Sequence, residues 1–476
     1  MPISASKRDD LAAQLREIVP GERTVLTSAE DLVAYGYDAT WFDSRALLVV
    51  RPQSTQQVSA IHRLAHRERV AITPRAMGSG LSGGAMPSLE AIVLSVSRMN
   101  SIVEIDAVNR CAVVQPGVIT ADLQHAVEAR GLFYPPDPSS LRQCAVGGNI
   151  AENAGGARCL KYGVTADYVC ALEVVLPDGT VIRTGGKTVK NVTGYDLRAL
   201  FTGSEGTLGT VTEATLRLLP KPKYTRSALA AFASIESAAA CVPSIMDSGI
   251  VPTAVELLDA LTIGCVNDIA PGAFPSACDA VLLFAVDGNY EQAVDGDLDA
   301  IEAAARAHGA VRFERARSAQ ESDSLWQARR SVSPALARRR PNKLGEDVCV
   351  PVSAIPALVE RVRDIARRHD LLIPVFGHAG DGNLHPNILC DRSDPNEIAR
   401  VREAAREIFE AALALGGTLS GEHGIGVLKK QFMERDLGAD ALALMRRIKD
   451  AVDPHGIMNP GKVFPDPGGE DVFRLE

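Results

Sequence analysis

Short apolar runs and helical periods alternate through the first half of the chain. Ala46-Leu-Leu-Val-Val50, Arg69–Thr73, Ala91–Val96 and Cys111–Pro116 are runs of the length and composition that make buried strands. Between the first two, Ser54 or Thr55 can cap a helix that sets Val58, Ile61, Leu64 and Ala65 on one face. Asp9–Ile18 and Thr120–Arg130 read as two further helices, the second stopped by Gly131. Tyr168–Leu176 and Thr180–Thr184 form a hairpin around Pro177-Asp178-Gly179, and Val211–Leu218 is a closing strand. Pro220-Lys-Pro222 then breaks the pattern.

Beyond that break the grammar is strand–helix–strand. Ser227–Phe232, Ile235–Ser248 and Thr253–Leu258 make one unit; Asp279–Val286, Tyr290–His308 and Val311–Arg315 make a second. Two such units predict a ferredoxin-like antiparallel sheet covered by helices. A helix over Ser322–Arg339, one over Pro356–His369 and a long one near 396–415 follow, with Leu371–Ile388 as a hairpin turning at Gly380–Asn383. The last stretch reads as helical. The fold class is therefore α+β.

Glycine clusters interrupt these elements, and they carry the chemistry. Gly78, Gly80, Gly83 and Gly84 crowd the stretch Thr73–Ala85, held between two strands with Arg75 at its mouth. Such a loop can turn its N–H groups inward around phosphate, and it lacks the helix spacing of the Rossmann fingerprint. We read it as gripping the pyrophosphate of a dinucleotide. Gly147-Gly148 and Gly155-Gly156, with Asn149 and Asn153 between them, offer backbone donors and amides without bulk. That suits a flat polar ring such as an isoalloxazine.

His378 and His385 flank the turn of the late hairpin, so folding brings both to one end of it. Alone, the pair serves equally well as two satisfied hairpin histidines. Glu422-His423, on a second glycine-bounded loop, favours a metal: two histidines and a carboxylate leave positions open for substrate. Zinc comes first, with manganese, iron and cobalt compatible by ligand type. Adjacent residues seldom both reach one ion, so Glu422 goes to the metal and His423 to proton transfer. Arg329 and Arg330 lie on a basic helix, where a guanidinium turned inward would clamp a carboxylate. A flavin, a metal, an arginine and a base together describe oxidation of a 2-hydroxy acid.

Composition changes this picture little. A length of 476 residues calls for two or three domains, and a net charge of −9 argues against a nucleic-acid binder. The chain shows no apolar run of membrane-spanning length and no signal-peptide core, so a cytoplasmic location is expected, with attachment to the inner membrane through a partner left open. Nine scattered cysteines without a C-x-x-C pair indicate free thiols; an iron–sulfur acceptor would have to be a partner.

The glycine loop resembles the pyrophosphate loop of flavoproteins related to vanillyl-alcohol oxidase and p-cresol methylhydroxylase. The chain from about Ala46 to Lys462 resembles the FAD-linked D-2-hydroxy-acid dehydrogenases, a group that includes the D subunit of bacterial glycolate oxidase and the D-lactate and D-2-hydroxyglutarate enzymes. YPPDPSS, GGNIAENAGGARCLKYG, KTVKNVTGYDL, LFTGSEGTLGTVTEATLRLLPKP, GHAGDGNLHPNI, SGEHGIG and NPGK carry the likeness. It implies a two-subdomain FAD-binding domain of the p-cresol methylhydroxylase type over residues 1–222, a substrate domain with the metal site over 223–426, and a helical segment, 427–476, returning to the flavin. It implies FAD contacts at Arg75, Ala76, Met77, Gly78, Ser79, Gly80, Leu81 and Ser82, and at Pro136, Asp137, Gly147, Gly148, Asn149, Asn153, Gly155 and Asn459. It assigns His378, His385 and Glu422 to a divalent metal, His423 and Arg329 to catalysis, and Arg329, Ser333, Lys343 and Asn387 to the substrate. The group's loop usually reads R-G-x-G-T-G, and Ala76 and Ser79 depart from it, Ser79 keeping a hydroxyl. No histidine lies between Arg75 and Gly84, so the FAD should be noncovalent. The partner expected is an electron acceptor: an electron-transfer flavoprotein, an iron–sulfur subunit or a quinone-linked protein. A homodimer is compatible. Alternatives are an oxygen-using alcohol or aldonolactone oxidase, and a noncatalytic FAD-binding subunit; the latter would be expected to lack the metal histidines.

Overall fold

Strand register explains most of the architecture. In the computed structural model, which describes residues 3–88 and 90–466, three large sheets follow one another along the chain, and Leu132–Phe133 pairs with Leu219–Pro220 in a small fourth. Leu89 and the last ten residues of the expected C-terminal segment lie outside the described residues.

The first sheet orders Val25–Leu26, Leu48–Val50, Ile92–Ser95 and Ile72–Arg75, the last three parallel. Parallel strands need a crossover, and the helix Thr55–Glu68 supplies it. Ser54 caps that helix through Gln57 N, and Val58, Ile61, Leu64 and Ala65 are buried as expected. The glycine loop thus leaves the end of a buried parallel strand, Ile72–Arg75. The second sheet is antiparallel: Ile102–Asp106, Cys111–Val114, Thr210–Arg217, Val169–Val175 and Val181–Gly185.

The third sheet runs Ala310–Arg315, Tyr224–Phe232, Ala280–Gly288, Ala254–Asp259, Val375–His378, Asn383–Cys390 and Asn342–Gly345, with Val348–Cys349 also on Asn383–Cys390. Its first four strands have the expected ferredoxin-like order, and the late hairpin extends it. Alternate residues divide it into two cores. Ala228, Ala230 and Phe232 face the helices Ile235–Asp247, Glu291–Ala307 and Ile355–His369; Leu229 and Ala231 face Ala260–Ile269 and Val332–Arg339.

Five readings change. The helix expected over 322–339 is two, Ala319–Arg330 and Val332–Arg339, because Pro334 has no N–H to continue the first and sits comfortably in the first turn of the second. The hairpin turn falls on residues 379–382, one earlier than expected. The glycine pair at 147–148 opens a helix, Val146–Glu152, that was not among the expected elements. The helix Ala260–Ile269 and the strand Ile102–Asp106 were not expected at all.

The C-terminal helices Met433–Leu437 and Ala439–Val452 bring the chain back to the first sheet, where Ile72 N donates to Ile457 O and Asn459 N to Ile72 O, both at 2.7 Å. Among the described residues no helix is long and apolar enough to cross a membrane. The buried Asp453 holds the return: it accepts from Ile457 N, Met458 N and Lys449 Nζ, and Lys449 Nζ also donates to Thr207 O. Replacing Asp453 with Ala strands a buried cation and two N–H groups, so urea unfolding should show a loss of about 3 kcal/mol.

Candidate active site

The late hairpin sets the geometry. Directly paired residues share a face, and His378 pairs with Asn383, so His385, two positions on, lies on the same face as His378. The two rings stand 5.1 Å apart, edge to face. Each flanking strand adds a carboxylate in register. On one side Glu256 pairs with His378, and its Oε1 meets His378 Nδ1 at 2.5 Å. On the other, Asp347 lies between Gly345 and Val348, which pair with Asn387 and Leu384, and its Oδ1 is 3.4 Å from His385 Nδ1.

With both Nδ1 atoms facing carboxylates, both Nε2 atoms point to Glu422 Oε1, at 3.2 Å from His378 and 3.5 Å from His385. Those separations match the edge of a tetrahedron with bonds of about 2.0–2.1 Å, roughly 3.3 Å. Two imidazole nitrogens and a carboxylate oxygen, each imidazole backed by a carboxylate, are a donor set that fits a divalent cation. Asp347, His385 and His423 also lie close enough to form a second group. Asp347 is poorly suited to a ligand's part: it already accepts from Asn383 Nδ2, Ser420 Oγ, Glu422 N and His423 N, at 2.6–2.9 Å.

Electrostatics follow from these contacts. Burial alone would lower His378, but Glu256 and Glu422 outweigh it and hold the imidazole well above its usual value. Burial would raise Glu422, and the neighbouring imidazoles hold it near 2 instead. His423, stacked on His385 with ring centres 5.1 Å apart, is pushed down to about 4 by burial, so its ring is neutral. Its Nδ1 is buried without a partner among the described residues, and its Nε2 is 3.9 Å from Glu422 Oε1. The turn before it is tight: a Cβ at Gly421 would come within 2.4 Å of the Asn383 amide.

A cavity of about 960 Å³ opens on this cluster, at the upper end of the roughly 300–1,000 Å³ common for ligand sites. Residues 75–81, Gly147, Gly148, Asn149 and Gly155 line it, together with Arg329, Ser333, Lys343, His385, Asn387, Glu422 and His423. The expected pyrophosphate loop and the expected chemistry therefore share one space. A Cβ at Gly80 or Gly148 would approach nothing nearer than 3.5 Å, so both glycines leave room on the wall for a cofactor. His378 stands one layer behind.

Five expected cofactor residues do not line the cavity. Ser82 caps its own loop through Gly84 N, and Pro136 O accepts from Gln124 Nε2. Asp137 pairs with Arg158 at 3.3 Å, Asn153 ends a helix in the left-handed conformation, and Asn459 Nδ2 ties Gly84 O to Glu205 O. Each meets a protein partner. Arg329 is not a free clamp either: its Nε donates to Glu256 Oε2 at 2.6 Å over the Phe376 ring. Lys343 Nζ donates to Ser333 Oγ at 2.5 Å, and burial lowers the lysine to about 8. Glu256 and Asp347 escaped the sequence reading. The one available signal was a lone glutamate inside the apolar strand Ala254–Asp259.

Residues 221–463 match the family described as FAD linked oxidases, C-terminal domain, and residues 46–185 match an FAD binding domain. Glycolate oxidase subunit GlcD of Bacillus subtilis is 46% identical over 96% of this chain and 97% of its own length. D-2-hydroxyglutarate dehydrogenase of Stutzerimonas stutzeri is 35% identical over 95% and 98%, and D-lactate dehydrogenase of Anaerostipes hadrus 32% over 95% and 97%. Among solved structures, 4-ethylphenol oxidase from Gulosibacter chungangensis superposes with a TM-score of 0.81 over 98% of both chains at 23% identity, and p-cresol methylhydroxylase with 0.80 over 99% of both at 19%. The chain belongs to the FAD-linked oxidase family, as an oxidoreductase with a p-cresol methylhydroxylase-type fold.

Proposed function

We propose that the protein oxidises a D-2-hydroxy acid, of the glycolate, D-lactate or D-2-hydroxyglutarate kind, to the 2-oxo acid, using noncovalent FAD and a divalent metal. The observation that carries this reading is the pair of carboxylate-backed histidines turned on Glu422 at the wall of a glycine-lined cavity. The relatives named for three 2-hydroxy acids support the substrate class.

Bound FAD supplies the hydride acceptor. A divalent cation on His378, His385 and Glu422 would supply a Lewis acid that makes a hydroxyl more acidic. The remaining work falls to side chains of this chain. His423 is neutral, and its Nε2, beside Glu422, takes the hydroxyl proton. Glu256, hydrogen-bonded to His378 Nδ1, keeps that ring in the tautomer that presents Nε2, and the Asp347 carboxylate stands 3.4 Å from His385 Nδ1. Lys343 brings an unneutralised charge to the substrate carboxylate, with Ser333 holding its Nζ and Asn387 beside it on the wall. Arg329, already shared with Glu256, adds a weaker field and fixes Glu256 in turn. Electrons leaving the site would go to a protein acceptor, a reading supported by relatives named as subunits of a glycolate oxidase.

Replacing His423 with Asn should leave FAD and metal bound while slowing substrate-driven flavin reduction by about 10²–10⁴-fold in anaerobic stopped flow; an unchanged rate removes His423 from the proton transfer. Stripping the protein with a chelator should preserve the flavin spectrum yet abolish bleaching by the D-acid, and a divalent ion should restore it. Replacing Glu256 with Gln should weaken metal binding by about 10–100-fold in a calorimetric titration, with FAD content as the control.

A further inference from the structure

Two acids on the cavity wall are used by nothing above. Glu152 ends the helix Val146–Glu152, Glu205 follows the helix Leu197–Phe201, and both line the cavity. They converge on the same two glycines. A Cβ at Gly424 would lie 1.9 Å from Glu152 Oε2 and 3.2 Å from Glu205 Oε1; one at Gly84 would lie 2.9 Å from Glu152 Oε1 and 3.4 Å from Glu205 Oε2. Their hydrogen bonding differs sharply. Glu205 accepts from Ile425 N at 2.8 Å and Gly426 N at 2.7 Å. Glu152 Oε1 has a long contact to Ser82 Oγ, 3.4 Å, and Glu152 Oε2 is buried with no partner.

Two neighbouring buried carboxyls do not both ionise, and the proton stays with the one whose anion is less well solvated. Glu205 holds two N–H donors, so the proton belongs to Glu152. A protonated carboxyl is a donor that needs an acceptor, and Glu152 Oε2 finds none among the described residues.

We propose that the acceptor is the FAD itself: Glu152 donates a hydrogen bond from its carboxyl to an acceptor atom of the bound cofactor, and Glu205 is the neighbour that keeps Glu152 protonated. Position favours FAD over substrate. Glu152 touches the glycine loop at Ser82, and it sits in the segment matching the FAD binding domain, on the helix whose Gly147, Gly148 and Asn149 line the cavity. It is a positioning residue.

The charges around Glu152 set a pH dependence. Burial raises it, and Glu205 and Asp38 push in the same direction, while Ser82 and Lys429 oppose them less strongly; the net shift is well upward. Lys462 and Lys429 act on Glu205 from the C-terminal segment. Rising pH removes the donor and leaves an anion beside a cofactor that carries phosphates, so FAD binding weakens as pH rises.

The test is FAD binding to the full-length protein by flavin fluorescence at pH 6.5 and pH 9, without substrate. The wild-type dissociation constant should rise about tenfold over that interval, the scale of one hydrogen bond involving a charged group. Glu152→Gln keeps a donor and cannot ionise, so its constant should stay at the low-pH value at both pH values. Glu152→Ala should bind about tenfold more weakly at pH 6.5. A flat wild-type profile, a Gln variant that follows the wild-type profile, or an Ala variant with wild-type affinity would each overturn the proposal. If the Ala variant does not fold, the Gln comparison decides alone. The proposal rests on FAD binding and not on the substrate, so its failure leaves the 2-hydroxy-acid reading standing.

Discussion

The carboxylate of Asp347 is the contact on which the rest of the site depends. It is fully buried, and a buried anion is tolerable only where donors replace its water. Asn383 Nδ2, Ser420 Oγ and the N–H groups of Glu422 and His423 do so, with His385 beside it. Burial would raise this acid, but the Lys429 ammonium and the donors around it hold it well below the usual range. One side chain thereby fastens the late hairpin to the loop that carries Glu422 and His423. Lys429 closes the arrangement from below, donating to Asp347 O and Leu419 O.

Around that anchor, three separate pieces of chain make one space. The first sheet contributes a phosphate-type loop at the end of a parallel strand, the connection between two strands of the second, Val181–Gly185 and Thr210–Arg217, carries Glu205, and the third contributes the histidines. The C-terminal return through Asp453, Ile457 and Asn459 ties the first sheet to the segment after Glu205. The electrostatics are divided accordingly. Lys343 and Arg329 stand near the histidines, while Glu152 and Glu205 stand where the glycine loop meets the 422–426 loop. A site for an anionic cofactor can hold such acids only where neutralised by a proton, by backbone donors or by a cation.

Much of this was legible from local pattern. The crossover helix announced itself by Ser54 and by Val58, Ile61, Leu64 and Ala65 on one face; the ferredoxin-like units by their strand–helix–strand lengths; the hairpin histidines by a glycine turn. These are short-range consequences of steric preference and burial, and they need no knowledge of the partner element. The misses have equally local causes. The helix break at Ser331 came from a proline that fits a first turn as readily as it ends a helix, and the helix from Val146 came from glycines whose chief effect on pattern is to erase it.

By itself the sequence determined most of the elements, the ferredoxin-like order of the third sheet's first four strands, the glycine loop and the residue types that could meet cofactor, metal and substrate. Only the tertiary structure decided which of them meet. Glu256 is adjacent to His378 because two strands 122 positions apart pair in one register, and Asp347 reaches His385 by the same device on the other side. It also gave Asp137, Asn153 and Asn459 protein partners and set Glu152 on the cavity wall. Spacing along a chain constrains what lies on one face of one element, whereas pairing between distant elements is set by the packing of whole sheets, which no local run of residues encodes.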